Sequence, residues 1–181
     1  CYVHITSNDA MGRDLALLYK ADCFEVEEAW LSSSETSREF LNVKGELLGQ
    51  KVHIIVCHLP SVFRTHEVRQ KALMQLKRQT EYIARSEQVP IFVLGDMNWA
   101  YDKAKQEILG FEAPLLRLVE KGYGSYYVND SWQLIDNIFV GGKAGFQVVD
   151  CGIYIRNYML HRTGFRTAPY RTFTRSRYVG G

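Results

Sequence analysis

The 181-residue sequence predicts a single α+β domain, in which β-strands form a sandwich and amphipathic helices pack outside it. Two patterns predict this class. Short apolar runs of strand length recur along the chain, and two of them are joined as a hairpin, whereas residues 67–85 carry apolar side chains at helical spacing. A hydrophobic content of 46% is enough for a buried core, and the sequence contains no internal repeat.

The first half of the chain predicts three strands and one long helix. Residues 15–20 form the first predicted strand, and residues 38–44 and 52–59 form a hairpin around the segment 45–50. An outer helix is predicted over residues 67–85, where polar residues separate the apolar ones. The apolar positions of this helix are Val68, Ala72, Leu73, Leu76 and Ile83.

The second half predicts three more strands and further helical segments. An apolar run over residues 91–94 has strand length, and strands are also expected around 134–140 and 147–155. A helix is expected from about Tyr101, followed by a short helix or an extension of it over residues 115–121. The mixture of strands, helices and a hairpin link favours an α+β sandwich.

Directly after the strand over residues 91–94, an Asp and an Asn lie two positions apart. In an extended chain, positions i and i+2 point to the same side, so Asp96 and Asn98 are expected to face one space at a sheet edge. Carboxylate and amide oxygens suit a hard divalent cation and the water that it polarises. The alternative is a plain turn, because Gly-Asp-x-Asn after a strand is also favourable turn chemistry.

Two other strand ends carry polar residues. His58 closes an apolar strand that Pro60 terminates, because proline cannot continue a ladder. Asp136 lies within an otherwise apolar strand, where a buried carboxylate needs a cation, a His or several N–H donors. Together with Asp96 and Asn98, these residues form a constellation suited to phosphoryl chemistry.

These motifs, in this order, resemble those of the endonuclease/exonuclease/phosphatase superfamily, the DNase I-like metal-dependent phosphodiesterases. Residues 58–60 resemble the family's His at a strand end, and residues 95–98 resemble its Gly-Asp-Phe-Asn with Met in place of Phe. Residues 135–140 resemble its Asp-His-Ile-like strand with Asn in place of His. The resemblance runs from about Gly12 to Gly181 and implies a four-layer sandwich of two packed β-sheets flanked by helices.

The resemblance also implies roles for the polar residues at the strand ends. Asp96 would orient and deprotonate the attacking water or hold a metal ion, Mg²⁺ or Mn²⁺, and Asn98 would hold the same water, a phosphate oxygen or the ion. His58 would donate hydrogen bonds to the phosphate as a charged imidazolium. Asp136 matches the family Asp that orients a catalytic His near the C-terminus of the domain.

Two further residues are expected to contact substrate or to support a catalytic residue. Residues 37–40 resemble the family segment that supplies a phosphate-contacting Arg, so Arg38 would clamp a phosphate with its planar fork. Asp14 is a candidate for the carboxylate that holds His58. The family's N-terminal metal-binding Glu and its final Ser-Asp-His have no counterpart in this sequence. We therefore expect residues 1–181 to be one partial domain, incomplete at both ends.

The distribution of arginines indicates contact with phosphates, and the cysteine spacing disfavours a zinc-binding protein. The net charge of +2 does not by itself indicate a nucleic-acid-binding protein, but residues 156–177 contain six arginines and no acidic residue, interleaved with aromatic residues. This composition favours contact with phosphates and bases over a plain solvated loop. The four cysteines lack C-x-x-C spacing, which disfavours a zinc ribbon, and no stretch has membrane-spanning length.

Three functions remain open at this point. The leading hypothesis is a divalent-metal-dependent phosphodiesterase that acts on nucleic acid. The second is a phosphatase or phosphodiesterase for a small or lipid substrate, of the inositol phosphate or sphingomyelin type, since the family also hydrolyses these. The third is a non-catalytic binding module, against which the retained His58, Asp96, Asn98 and Asp136 argue.

Overall fold

A computed structural model describes residues 2–3, 15–32, 39–99, 110–143, 146–163, 166–170, 173–174 and 177–178. Its strands are β1 (Tyr2–Val3), β2 (Tyr19–Lys20), β3 (Phe24–Ser32), β4 (Phe40–Leu47), β5 (Gln50–His58), β6 (Pro90–Asp96), β7 (Tyr126–Val128), β8 (Ser131–Gln133), β9 (Asp136–Gly142), β10 (Leu160–Thr163), β11 (Arg166–Pro169), β12 (Phe173–Thr174) and β13 (Arg177–Tyr178). The helices are α1 (His66–Ser86) and α2 (Leu116–Val119), with a 3-10 turn at Asn157–Met159.

A five-stranded sheet in the order β3-β4-β5-β6-β9 forms the centre of the fold. Strands β3, β4 and β5 are antiparallel neighbours, β5 and β6 are parallel, and β9 runs antiparallel to β6. A parallel pair needs a crossover connection, and α1 supplies it between β5 and β6. This topology brings the carboxyl ends of β5 and β6 and the first residue of β9 to one edge of the sheet.

Helix α1 packs on one face of this sheet. The side chain of Thr65 caps its N-terminus by accepting a hydrogen bond from the backbone N–H of Val68 at 3.4 Å. Its apolar stripe is buried in a core cluster with alternate residues of β5 and β6, among them Ile55 and Val93. The buried apolar residues of the helix are Ala72, Leu73, Leu76 and Ile83, as the helical spacing predicts.

The opposite face of the sheet carries a second apolar cluster. Val52, Ile54 and Val56 of β5 lie in this cluster, and the segment before β2 covers them with Leu15 and Leu17. Since successive side chains of a strand point to opposite faces, β5 contributes to both clusters and reads as a nearly continuous apolar run. This two-sided burial explains why the central strands were recognisable from the sequence.

Several predicted elements differ from the observed ones. Residues 15–18 form no strand beyond one isolated bridge, and only Tyr19–Lys20 pairs, with β1. Residues 147–155 were predicted as a strand, but they form no regular element. Both segments are apolar in sequence, but an apolar run becomes a strand only where another strand pairs with its backbone. The helix predicted from about Tyr101 lies outside the described residues, whereas the short helix expected within 115–121 is α2.

The remaining strands form two-stranded ribbons, β7-β8, β10-β11 and β12-β13. Tyr127 and Trp132 pack edge to face across β7-β8, and the Trp132 indole N–H donates to the carbonyl of Thr167, which ties this ribbon to β11. Within the described part of the chain, no helix is long and apolar enough to cross a membrane.

Candidate active site

Three of the predicted site residues meet at the sheet edge formed by β5, β6 and β9. His58, the last residue of β5, is the register partner of Asp96, the last residue of β6. Asp96 is in turn the partner of Asp136, the first residue of β9. Register partners lie on the same face of a sheet, and alternation from Val56 places this face on the side of the Leu15 cluster. The three residues therefore line one edge, on the face opposite α1.

Gly95 allows β5 and β6 to approach closely beside the site. Its φ of +138° lies in a region that L-residues rarely adopt. A Cβ atom at this position would lie 1.9 Å from the carbonyl oxygen of Cys57. Only glycine fits, and the close approach holds the next residue, Asp96, at its position beside His58.

A turn joins Asp96 and Asn98. The backbone N–H of Asn98 donates to Asp96 Oδ1 at 2.7 Å, and Asn98 has a left-handed φ of +50°. The strand ends at Asp96, so the strand alternation expected between the two residues does not extend to Asn98. The alternative, a turn, is confirmed, and it fixes one carboxylate oxygen of Asp96 while leaving Oδ2 on the side of His58.

The Asn98 side chain connects this turn to the end of β5. Its Nδ2 donates to the carbonyl oxygen of Leu59 at 2.8 Å, and the Leu59 N–H donates to the carbonyl oxygen of Asp96 at 2.9 Å. Because Nδ2 is used in this way, Oδ1 is the amide atom of Asn98 that can accept a hydrogen bond or bind a cation. These two hydrogen bonds hold the end of β5, after His58, against the turn that follows Asp96.

His58 and Asp96 form the charged pair of the site. His58 Nε2 lies 3.6 Å from Asp96 Oδ2, and the two side chains are 36% and 29% exposed. This separation is longer than a direct hydrogen bond, so a protonated His58 attracts the carboxylate without locking it. The sequence placed both residues in one constellation but did not predict that they would form a direct pair. Asp14, the predicted partner of His58, lies outside the described residues, as does Arg38.

Asp136 is exposed, which corrects the expectation of a buried carboxylate within a core strand. The burial alternates along β9, so that Asn137 and Phe139 point into the core while Asp136 and Ile138 do not. The strand also begins at Asp136 and not two residues earlier. Ser125 Oγ accepts the backbone N–H groups of Ile135 and Asp136 at 3.2 and 3.0 Å, which holds this strand start, a contact that the sequence did not predict.

Two residues behind the site were also not predicted as parts of it. Arg69 of α1 donates from Nη2 to the Asn98 carbonyl at 3.4 Å, and its guanidinium lies 5.2 Å from the centre of the Trp99 ring. Burial lowers the pKa of Arg69. Trp99 is itself buried in the α1 cluster, which indicates a packing role. Arg69 was not singled out from the sequence.

The donors at this edge fit part of a divalent-cation site. Asp96 Oδ2, Asn98 Oδ1 and the exposed Asp136 supply oxygen atoms, the ligand type that Mg²⁺ and Mn²⁺ prefer. Within the described residues, no three His, Cys, Asp or Glu side chains converge as a metal cluster. The edge therefore offers two or three ligands, and a hard cation would complete its shell with water, substrate oxygens or further protein groups.

Comparison with known proteins establishes the family. A model of the Endonuclease/Exonuclease/phosphatase family matches residues 1–181, and the chain belongs to this family. Members of the family are phosphoesterases and generally use divalent metal ions. Among curated protein sequences, none matches the chain significantly.

Solved structures share the fold at low sequence identity. TDP2 of D. rerio complexed with single strand DNA product is similar with a TM-score of 0.58 and 16% identity, over 79% of this chain and 63% of that chain. The human Nocturnin catalytic domain with bound sulfate anion has a TM-score of 0.59 and 16% identity, over 77% and 60%. The mannosyl-6-phosphatase Bt3783 of Bacteroides thetaiotaomicron has a TM-score of 0.56 and 17% identity, over 77% and 62%.

These similarities confirm the predicted DNase I-like α+β fold. The chain spans less than two thirds of the length of each of these structures.

Proposed function

We propose that this chain is part of a divalent-metal-dependent phosphodiesterase that cleaves nucleic acid. The observation that carries the proposal is the edge where His58 and Asp96 lie 3.6 Å apart beside the Asn98 turn and Asp136. In-line attack of water on a phosphate ester requires a proton acceptor, a hydrogen-bond donor to the phosphate and a group that positions the water. The Asp96 carboxylate, the His58 imidazole and the Asn98 amide supply these groups.

In this proposal Asp96 acts on the attacking water. Its Oδ1 is held by the Asn98 N–H, so Oδ2 is the atom that orients the water and accepts its proton. Asn98 Oδ1 holds the same water or a phosphate oxygen, because Nδ2 is already bonded to the Leu59 carbonyl. Protonated His58 donates to a phosphoryl oxygen and offsets the charge that develops there. Asp136, exposed on the neighbouring strand, completes the acidic edge.

A bound Mg²⁺ or Mn²⁺ ion would neutralise charge on the phosphoryl oxygens and on the leaving group. Asp96, Asn98 and Asp136 are the described residues that would hold it. Arg38 as a phosphate clamp and Asp14 as a support for His58 stay sequence-based predictions. The arginines of residues 156–177 support a polyanionic substrate, and Arg156 and Arg162 are exposed.

A second candidate substrate is a small or lipid phosphate ester. The likeness to a mannosyl-6-phosphatase supports this candidate, because the same fold occurs in a protein named for a sugar phosphate substrate. A non-catalytic binding module is the third reading. The loops around the edge, and not the edge itself, would determine whether the substrate is nucleic acid or a small or lipid phosphate ester.

The test is a substrate panel with and without EDTA. Plasmid DNA, single-stranded DNA, RNA, a sugar monophosphate, an inositol phosphate and sphingomyelin are offered with Mg²⁺ or Mn²⁺, using the protein and its Asp96→Asn variant. We expect EDTA-sensitive cleavage of nucleic acid that the variant has lost.

Cleavage of only the sugar, inositol or lipid substrate would replace the nucleic-acid proposal with the second candidate. Cleavage that survives Asp96→Asn would remove Asp96 from the mechanism. Absence of hydrolysis with retained, salt-sensitive DNA binding would identify a binding module.

A further inference from the structure

A short turn that follows Leu59, a residue hydrogen-bonded to the site, presents an apolar tip to solvent. It follows β5 directly and ends at Thr65, the N-cap of α1. The backbone N–H of Arg64 donates to the carbonyl of Ser61 at 2.9 Å, so the turn is closed by its own hydrogen bond. Its two central residues, Val62 and Phe63, are 62% and 94% exposed.

The base of this turn is locked to the site. Leu59 is buried, and it donates a hydrogen bond to the Asp96 carbonyl and accepts one from the Asn98 side chain. Pro60 is also buried, and its ring fixes its own φ angle. Phe63 follows four residues after Leu59, a distance of at most about 14 Å along the chain. Phe63 therefore lies within about 14 Å of Leu59, a residue that is hydrogen-bonded to both Asp96 and Asn98.

No structural role within the described residues accounts for Phe63. A hydrophobic staple would use the residue just before the N-cap, which is Arg64, and the residue four positions inside the helix, which is Arg69. Neither is apolar. Phe63 forms no ring–ring contact with another described residue, and a side chain of this size stabilises a fold only when it is buried.

The charge around the tip indicates what it contacts. Residues 58–66 contain Arg64 and two histidines and no acidic residue. Arg64 is exposed and forms no ion pair within the described part of the chain. An aromatic face beside an unpaired cation is the combination that binds single-stranded nucleic acid, with the ring stacked on a base and the cation on a phosphate.

We propose that Phe63 is a specificity-determining residue that stacks on a base of the substrate strand next to the cleaved phosphate, with Arg64 on a neighbouring phosphate. This inference rests on the proposed phosphodiesterase function and names the part of the substrate that the turn recognises. Such a contact would favour strands that carry bases over strands that lack them, but it would not depend on which base is present, since any base offers a π-face.

The test compares two substrates of equal length and charge, a single-stranded oligonucleotide and a chain of abasic sugar phosphates. Phe63→Ala should raise KM for the oligonucleotide by about 5- to 150-fold, the range of one lost stacking contact, and leave KM for the abasic chain unchanged. Phe63→Trp should retain the KM of the original protein on both substrates. Leu48→Ala is the matched control, because Leu48 is 79% exposed at the turn on the opposite end of β5.

Three results would overturn the stacking role. An unchanged KM in Phe63→Ala would remove the contact, and an equal rise on both substrates would identify a structural effect of the turn. Loss of binding to phosphatidylcholine/phosphatidylserine vesicles in Phe63→Ala, with unchanged oligonucleotide KM, would assign the tip to a lipid surface.

Failure of the broader proposal gives a different pattern. If the unmodified protein cleaves neither chain but hydrolyses a small phosphate ester, the nucleic-acid function is wrong and the base contact is overturned with it. If it cleaves both chains with the same KM, the phosphodiesterase function stands and only the role of Phe63 is refuted.

Discussion

Strand β5 carries two histidines that each face a carboxylate, yet the two pairs differ in almost every property. At the carboxyl end, His58 and Asp96 are 3.6 Å apart and partly open to solvent. Near the amino end, His53 is fully buried, and its Nδ1 lies 2.9 Å from Glu87 Oε2. Five positions separate the histidines, which is roughly 16 Å along a strand, and an odd separation places them on opposite faces.

The His53 pair belongs to a network that joins α1 to the sheet. The second ring nitrogen of His53 lies 3.1 Å from Asn42 Oδ1 on β4, and Glu87 Oε1 binds Lys44 Nζ at 2.8 Å. Trp30 of β3 packs edge to face on the His53 ring. The side chains of His53, Asn42, Glu87 and Lys44 all have polar partners inside the protein, as buried polar groups require. The geometry is that of a structural network.

The difference teaches that a His–carboxylate pair becomes available for chemistry through its place in the sheet. At the strand ends, the ladder stops and side chains meet solvent, so His58 and Asp96 are accessible, as their proposed catalytic roles require. In the strand interior, His53 and Glu87 are held by Asn42 and Lys44 and serve stability. The predictions below test this contrast, from the largest expected effect to the smallest.

The two carboxylates should separate activity from stability. Asp96→Asn should lower the hydrolytic rate by about 10²–10⁴-fold, because the proton acceptor is lost, with little change in the unfolding free energy. The matched change Glu87→Gln should leave the rate unchanged and lower the unfolding free energy by about 1–3 kcal/mol, because it weakens a buried network. Steady-state kinetics and urea unfolding of both variants check this. Equal loss of activity in both would contradict the contrast.

Of the two histidines, His53 should contribute to the unfolding free energy, whereas His58 should contribute mainly to the hydrolytic rate. His53→Ala should lower the unfolding free energy by about 2–4 kcal/mol, since it opens a cavity and leaves Asn42 Oδ1 and Glu87 with fewer partners. His58→Ala should change it by no more than about 0.5 kcal/mol, as is usual for partly exposed residues, while lowering the rate. Urea midpoints with unchanged m-values are the measurement. A His58 variant that is the less stable of the two would refute the assignment of roles.

Acid should weaken the buried network. Burial lowers the pKa of His53 below its usual 6.5, so the unfolded chain binds more protons as the pH falls below 6.5, and stability falls with it until the folded-state pKa is passed. Burial alone would raise the pKa of Glu87, but hydrogen bonds from Lys44 and His53 hold it below 4.5. The stability from Glu87 is therefore present above 4.5 and lost as the pH falls through its folded-state pKa.

Urea unfolding between about pH 8 and about pH 5 measures the His53 contribution. We expect His53→Gln to flatten the decline that begins below 6.5 and His58→Ala to retain it. A decline of equal slope in the His53 variant would show that another group causes it.

The smallest effect concerns Cys57, which lies between the two pairs on β5. Burial raises the pKa of this thiol to about 12, and the nearby Asp96 charge adds to the rise. The native protein should leave Cys57 unmodified by a thiol reagent at about pH 8, while the partly exposed Cys23 and Cys151 react. Peptide mapping by mass spectrometry checks this, with denatured protein as the control. Modification of native Cys57 would indicate that the site end of β5 opens.

Much of the central fold could be predicted from local pattern. The hairpin of β4 and β5, the helix α1 and the strand ending at Asp96 have strong periodicity, because each is buried on one or both faces. The segments 15–18 and 147–155 are apolar too, but they do not form the predicted strands, because strand pairing depends on residues distant in sequence. The site residues were found as strand ends, whereas the burial of Asp136 was misjudged because β9 begins at Asp136, where the side chain meets solvent, and not two residues earlier.

The sequence by itself determined the family and the set of residues at the sheet edge, because the motifs around His58, Asp96 and Asp136 are local and ordered along the chain. Only the tertiary structure decided which carboxylate meets which histidine. His58 and His53 have similar neighbours in sequence, and the register of β5 against β6 assigns Asp96 to the first, while the end of α1 assigns Glu87 to the second. Strand register and helix docking are set by long-range packing, which local sequence does not contain.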